Sequence, residues 1–198
     1  MHARVIVLAG PSGAGKSHLA ARLGLPVLRL DDFYRNGSDP ALPRIASGAN
    51  AGLVDWDDPR AWVQEEALAA VRELCRGGSA EVPVYDIARD GRCGVQTLDL
   101  GEHRHFVAEG LFAHEIVPAA TDLDLLAAAY CVTQHRVVTF WRRLSRDLRE
   151  RRKPPRVLVR RGIALLRGQG AVVARAAELG CLVVTSDEAY DALRELTR

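Results

Sequence analysis

Short apolar runs alternate with amphipathic segments along most of the chain. Continuous apolar runs that end at glycine, proline or an acidic residue predict strands buried on both faces of a parallel sheet. Such runs occur at Arg4–Ala9, Pro26–Leu30, His105–Ala108, Ala127–Val132 and Cys181–Thr185. Because helical segments separate most of them, the pattern predicts an α/β fold with a parallel sheet of about five strands wrapped by helices.

Apolar residues at helical spacing predict the helices. The predicted segments are Ser17–Leu23, Asp58–Cys75, Gln134–Arg152, Arg156–Leu179 and Asp187–Leu196. In the second segment, Trp62, Leu68 and Val71 are candidates for burial, and the Gly77-Gly78 pair should end the helix. The fourth segment should break near Gly168–Gly170.

Two regions depart from this alternation. Asp31–Asp55 is rich in Gly, Pro, Asn and Ser, which predicts a loop or mobile segment. Val82–Leu100 alternates and contains a turn sequence at Asp90-Gly91, which predicts a small hairpin insertion. With 198 residues and no internal repeat, the chain is expected to form a single domain over residues 1–198.

Composition narrows the choice of partners and compartment. The net charge of +2 is too small to favour nucleic acid or an anionic membrane as the main partner. No apolar run approaches the roughly 20 residues that span a bilayer, and we expect no secretory signal. Four widely spaced cysteines without a CxxC pair indicate neither zinc nor redox chemistry. We therefore expect a cytoplasmic protein with free thiols.

A phosphate-binding loop is predicted between the first strand and the first helix. Gly10-Pro11-Ser12-Gly13-Ala14-Gly15-Lys16-Ser17 matches GxxxxGK[ST] at every fixed position. Glycines let successive N–H groups point at one phosphate, the lysine adds a compact charge, and the serine hydroxyl suits Mg²⁺. The predicted nucleotide contacts are Gly10, Ser12, Gly13, Ala14, Gly15, Lys16, Ser17 and His18. The chain has only two lysines among 27 basic residues, which strengthens the assignment of Lys16.

Carboxylates follow two of the predicted strands. Asp31 and Asp32 come after the second strand, and Glu109 ends the third. Because ligands of open parallel sheets bind at the carboxyl ends of strands, these groups should lie over the phosphates. There they could hold Mg²⁺ or take a proton from an attacking hydroxyl. Alternatively, the aspartates form a helix cap or solvated turn, and Glu109 is a plain strand-end charge.

The segment Gln134–Arg152 is strongly basic. It predicts a basic lid helix whose arginines close over the transferring phosphate. A solvated helix face paired with Asp147 and Glu150 and a nucleic-acid site remain alternatives. The cations are Arg142, Arg143, Arg146, Arg149, Arg151, Arg152 and Lys153.

From Val5 to about Lys153, the ordered motifs resemble those of the uridine–cytidine kinase and phosphoribulokinase branch of P-loop kinases. The matching segments are Gly10–Ser17, Leu30–Arg35, Asp55–Trp62, Pro83–Asp86, Val107–Gly110 and Arg142–Arg151. The resemblance implies ATP and Mg²⁺ as cofactors, and that a homo-oligomer can form. It also implies that Asp31 is the catalytic base, and that Asp31, Ser17 and Glu109 hold the Mg²⁺ ion.

The same resemblance assigns the remaining site residues. It implies that Asp57 holds ribose hydroxyls, that Tyr85 contacts the base, and that Arg143 reaches the sugar. Arg146 and Arg151 would reach the phosphates. The sequence departs from the family at two base contacts, because Ile87 replaces an aromatic residue and Asp90 replaces a histidine.

We therefore expect an ATP-dependent kinase that phosphorylates a primary hydroxyl of a nucleoside or a related sugar-containing small molecule. The alternatives are a kinase of another alcohol, such as an antibiotic or vitamin precursor, and an NTP-hydrolysing switch protein. The sequence lacks an NKxD-type guanine-reading motif, which disfavours the switch.

Overall fold

The computed structural model describes residues 2–48, 50–134 and 170–196, and a parallel sheet lies at its centre. Its five strands are β1 (Arg4–Ala9), β2 (Val27–Arg29), β5 (His105–Glu109), β6 (Leu126–Val132) and β7 (Leu182–Val184). Their order is β2-β5-β1-β6-β7, and every neighbouring pair is parallel. The predicted parallel sheet of about five strands is therefore confirmed.

The central strand β1 divides the core into two layers. Val5 to Ala9 are buried, and alternate side chains enter two separate apolar clusters. Val5 and Val7 pack in one cluster, whereas Ile6 and Leu8 pack in the other. This two-sided burial explains why the strand reads as one continuous apolar run rather than an alternating one.

Helices cover both faces of the sheet. They are α1 (Lys16–Leu23), α2 (Gln64–Gly77), α3 (Val117–Asp122), α4 (which includes residues 170–178) and α5 (Ser186–Leu196). Leu19 of α1 and Leu193 of α5 pack in the cluster that contains Ile6. Leu74 of α2 and Ala120 of α3 pack in the opposite cluster. The short helix α3 and the 3-10 turn Ala113–Ile116 before it were not predicted from the sequence.

The second predicted helix starts six residues later than expected. Pro59–Ala61 forms a separate 3-10 turn, because the Asp58 carboxylate caps it by accepting from Arg60 N at 2.9 Å. Trp62 is buried as expected, but it has an extended backbone and lies outside α2.

The predicted end of this helix is confirmed. Gly78 adopts a φ of 78° and donates its N–H to Leu74 O, which ends α2. Val71 is buried as expected, whereas Leu68 is only half-buried.

The predicted hairpin is present as a separate two-stranded antiparallel sheet. It consists of β3 (Ser79–Asp86) and β4 (Gly91–Asp99), so β3 starts three residues before the predicted Val82. Asp90 lies in its turn with a φ of 49°, in the left-handed region.

The basic lid helix lies outside the described residues, apart from Gln134. The same holds for Arg143, Arg146 and Arg151 and for most of the segment predicted helical up to Leu179. Of the described part of that segment, residues 170–178 are helical, including Gly170, and Leu179 lies in a turn. None of the described helices is long and apolar enough to cross a membrane.

Candidate active site

The phosphate loop connects the central strand to the first helix. Gly10, Gly13 and Gly15 have φ angles of 130°, 87° and 102°, which L side chains rarely adopt. A Cβ on Gly10 would lie 2.3 Å from the Val132 carbonyl oxygen at the end of β6. Glycine is therefore required at this position both by conformation and by the close approach of a neighbouring strand.

The Lys16 side chain folds back across this loop. Lys16 is 7% exposed, and its Nζ donates to the carbonyl oxygens of Gly10 at 2.7 Å and Pro11 at 3.1 Å. The N-cap residue of α1 is Gly15, which has no side chain to cap the helix. The positive end of α1 and the lysine charge are thus directed toward the same loop, an arrangement suited to binding phosphate.

Two oxygen ligands of the type that Mg²⁺ prefers meet beside the loop. Ser17 Oγ donates to Glu109 Oε1 at 2.8 Å, and Glu109 ends β5 next to β1. Among the described residues, no group of three His, Cys, Asp or Glu side chains could hold a metal ion. Since Mg²⁺ in nucleotide sites is held mainly by phosphates, water and one or two protein groups, this pair still fits it.

The carboxylate of Asp31 is held at the end of β2 by the strand beside it. Its Oδ1 accepts from Leu111 N at 2.9 Å, just after β5 ends. A Cβ on Gly110 would lie 2.9 Å from this oxygen and 3.0 Å from Leu30 Cβ. The Glu-Gly pair therefore combines two features: a carboxylate beside Ser17, and a glycine that leaves room for Asp31.

Asp32 has a different environment from its neighbour. It is 4% exposed, accepts from Tyr85 N at 3.4 Å, and lies 3.8 Å from Arg29 Nε. Burial raises the pKa of the Asp32 carboxyl, and the nearby Arg29 charge opposes that shift. The two adjacent aspartates are thus one half-buried carboxylate bonded to the backbone that follows β5 and one buried carboxylate bonded to the hairpin.

Aromatic rings line the region between the segment after β2 and the hairpin. The Tyr34 ring lies 5.8 Å from Trp56, 6.0 Å from Tyr85 and 6.0 Å from Phe112, measured between centroids. Tyr85 OH donates to Arg35 O at 3.3 Å, and burial raises the pKa of Tyr85 to about 12. Its hydroxyl therefore stays a neutral donor at physiological pH.

The remaining predicted acceptor contacts lie around these rings. Asp57 is exposed, directly follows Trp56, and donates its backbone N–H to Asp55 Oδ1 at 3.2 Å. In the hairpin turn, Ile87 is 40% exposed, and the Asp90 carbonyl accepts from Gly37 N at 2.6 Å. The turn thus contacts the segment that follows β2.

One family of known proteins matches most of this chain. The family model for the phosphoribulokinase / uridine kinase family matches residues 5–156. The chain belongs to this family. Its fold is that of a P-loop kinase, and membership of this kinase family implies the use of ATP.

The chain is also similar to individual known proteins, at low sequence identity. Uridine kinase of Macrococcus caseolyticus is 24% identical over 154 residues, covering 74% of this chain and 70% of the relative. Inorganic pyrophosphatase TTM2 of Arabidopsis thaliana is 32% identical over 114 residues, covering 55% of this chain. The chain spans only about 15% of the length of that relative.

Solved structures share the fold. A candidate fructose transport system kinase from Silicibacter sp. TM1040 has a TM-score of 0.59 at 21% identity, covering 91% of this chain and 87% of that one. The YGR205w protein has a TM-score of 0.50 at 17% identity, covering 94% and 87%. At these identities, the likeness shows a common P-loop kinase fold.

The structure brings most of the predicted family residues to the same edge of the sheet. Lys16, Ser17 and Glu109 lie together, and Asp31 follows β2, the strand that pairs with β5. His18 is exposed on the first turn of α1. No role was predicted from the sequence for Gly110, although it belongs to the Glu-Gly match, or for Arg92 inside the hairpin.

Proposed function

We propose that this P-loop kinase transfers the terminal phosphate of ATP to a hydroxyl of a small sugar-containing molecule, with a nucleoside as the first choice. The observation that carries the proposal is the position of Asp31, whose carboxylate is held by Leu111 N beside the strand that ends at Glu109. A carboxylate fixed at the sheet edge from which the phosphate loop starts is suited to accept the proton of an attacking hydroxyl.

The chain's own residues would divide the work as follows. The backbone from Gly10 to Ser17 and the Lys16 ammonium would bind the phosphates, and Ser17 with Glu109 would hold Mg²⁺. The bound ion would neutralise charge on the phosphate oxygens. Asp31 would accept the hydroxyl proton, and its place near the metal pair is compatible with a second role as a water-mediated metal ligand.

Acceptor binding would fall to the aromatic region. Tyr85 would contact the base or its equivalent, and Asp57 would accept hydrogen bonds from vicinal sugar hydroxyls. The family resemblance further supports Arg143 as a contact to the sugar and Arg146 and Arg151 as contacts to the phosphates, although all three lie outside the described residues.

Two residues favour a second candidate, a kinase of a non-nucleoside alcohol. Ile87 and Asp90 occupy the hairpin turn, and neither offers the aromatic ring or the imidazole that family members use on a pyrimidine. An acceptor that depends on its sugar hydroxyls more than on its base would suit this turn.

An acceptor screen tests both candidates. ADP release is measured with ribonucleosides, 2′-deoxyribonucleosides and non-nucleoside alcohols, for the wild type, Asp57→Ala and the remote control Asp122→Ala. We expect ribonucleosides to react best, and Asp57→Ala to lose this preference, because a site built for hydroxyls rejects analogues that lack them. Equal rates with ribo- and deoxyribonucleosides would contradict the role of Asp57, and reaction with non-sugar alcohols alone would establish the second candidate.

A further inference from the structure

The hairpin contacts the segment that carries Asp31 at several points. Tyr85 donates its backbone N–H to Asp32 Oδ1 at 3.4 Å and its hydroxyl to Arg35 O at 3.3 Å. Further along, Gly37 N donates to Asp90 O at 2.6 Å. Residues 32–37 therefore lie against the turn end of the hairpin, which also contains the predicted acceptor contact Tyr85.

Arg92 makes the most extensive of these contacts. It is the cross-strand partner of Tyr85, and its side chain is 27% exposed. Arg92 Nε donates to Tyr34 O at 3.2 Å, and Nη2 donates to Phe33 O at 3.4 Å. Its Nη1 forms an ion pair with Glu66 Oε2 at 2.7 Å. One guanidinium thus joins β4, α2 and the segment after β2.

The guanidinium suits this place for a geometric reason. Phe33 and Tyr34 immediately follow the two aspartates. Phe33 ends the 3-10 turn Leu30–Phe33, and beyond it the backbone is held by Val63 N, which donates to Phe33 O at 3.0 Å, and by an isolated bridge between Tyr34 and Trp62. A planar fork with several fixed N–H donors can hold two successive carbonyls and a carboxylate at once, whereas a lysine ammonium cannot reproduce that pattern.

We propose that Arg92 is a positioning residue for phosphoryl transfer: it fixes the segment that carries Asp31 against the hairpin that carries Tyr85. The inference rests on the proposed function. Arg92 keeps the catalytic base Asp31 in place relative to the acceptor contact Tyr85. Loss of the guanidinium hydrogen bonds moves Asp31 away from the acceptor hydroxyl. Small displacements at a reacting centre can cost about 10²-fold in rate.

The test compares Arg92→Gln and Arg92→Lys with two matched controls. Arg89→Gln removes an 81% exposed arginine from the same hairpin, and Glu66→Gln removes only the ion pair to α2. We expect Arg92→Gln to lower kcat with the best acceptor by about tenfold or more. ATP affinity should remain at the wild-type level, Arg92→Lys should lose less, and both controls should lose little.

A second readout does not depend on turnover. The Leu111 amide donates to Asp31 Oδ1, so its hydrogen exchange reports whether that carboxylate stays in place. We expect faster exchange at Leu111 in Arg92→Gln, with unchanged exchange in β1, and no change in Arg89→Gln. A double variant with Asp31→Asn should lose little more than Asp31→Asn alone, because Arg92 acts through Asp31.

Wild-type exchange at Leu111 in Arg92→Gln would overturn the inference. A uniform rise in hydrogen exchange across the sheet would also overturn it, since that would show a purely structural role. If Arg92→Gln does not fold, Arg92→Lys provides the folded variant. If the wild type transfers phosphate to no acceptor, the proposed function fails, while the Leu111 exchange still decides whether Arg92 positions Asp31.

Discussion

The two ends of the candidate site are built in different ways. At the nucleotide end, the loop from Gly10 to Lys16 connects a strand that is buried from Val5 to Ala9 to a helix, and its contacts come from its own backbone and the strands beside it. At the acceptor end, residues 30–62 contain little regular structure. Scattered backbone hydrogen bonds, such as Val63 N to Phe33 O, hold this end together with side chains, through Trp62 Nε1 to Leu30 O and Arg92 Nε to Tyr34 O.

This difference determines which substitutions each end of the site can tolerate. A loop fixed by positive φ angles and by the close approach of β6 tolerates few substitutions, because most side chains would clash or strain the backbone. The acceptor end depends in part on side-chain hydrogen bonds, so single substitutions can alter its shape. We therefore expect nucleotide chemistry to be shared across the family, whereas acceptor choice varies through residues such as Ile87 and Asp90.

The largest effect should come from the nucleotide end. Lys16→Ala removes the ammonium over the phosphate loop and should abolish measurable phosphoryl transfer with every acceptor. Because Lys16 also donates to Gly10 O and Pro11 O, we expect a stability loss on the order of 1 kcal/mol as well. Thermal unfolding and ADP release measure the two effects, with Arg22→Ala at the other end of α1 as control. Turnover near the wild-type level would refute the phosphate-loop assignment.

The next largest effect should separate the two aspartates. Asp31→Asn removes the proposed general base, and we expect kcat to fall by roughly 10²–10⁴-fold. Asp32→Asn should cost much less, because the amide oxygen can still accept from Tyr85 N in the same buried place. Steady-state kinetics on both variants decide the point. A larger loss in Asp32→Asn would move the base by one residue, and small losses in both would remove it from this segment.

A smaller effect is expected at Ser17 and Glu109, the two proposed Mg²⁺ ligands. Glu109→Gln keeps the shape and an acceptor for Ser17 Oγ but loses the charge that a hard cation prefers. The Mg²⁺ concentration for half-maximal rate should rise about tenfold or more, by analogy with the effect of altering groups around a metal. An Mg²⁺ titration checks this, with the exposed Glu102→Gln as control. An identical titration curve would leave Glu109 as a plain strand-end charge.

The same contrast explains what the sequence could predict. The five strands and the phosphate loop follow from local patterns, since a buried parallel strand needs a continuous apolar run and the loop needs glycines at fixed spacing. The contacts of Arg92 and Leu111 could not be predicted, because they join residues separated by 58 and 80 positions. The predicted start of α2 was wrong for a local reason. Asp58 caps a separate 3-10 turn at Pro59–Ala61, and helical apolar spacing does not distinguish such a turn from the first turn of an α-helix.

The smallest effect concerns the glycine at which the two ends meet. Gly110 is not among the residues with a positive φ, so alanine suits its backbone, but the added Cβ would lie 2.9 Å from Asp31 Oδ1 and 3.0 Å from Leu30 Cβ. Relief requires the Asp31 carboxylate to turn away from Leu111 N. Gly110→Ala should therefore lower kcat by about tenfold, less than Asp31→Asn, because the carboxylate is displaced rather than removed.

The matched control for Gly110→Ala is Gly77→Ala at the end of α2, where a Cβ would meet nothing within 4 Å. That variant should keep full activity, and its stability should stay the same or rise slightly, because alanine favours the helix. ATP affinity should be unchanged in both variants, since neither glycine belongs to the phosphate loop. If Gly110→Ala weakened ATP binding as much as it lowered kcat, the glycine would serve the nucleotide end, and Asp31 would not be the group that its Cβ displaces.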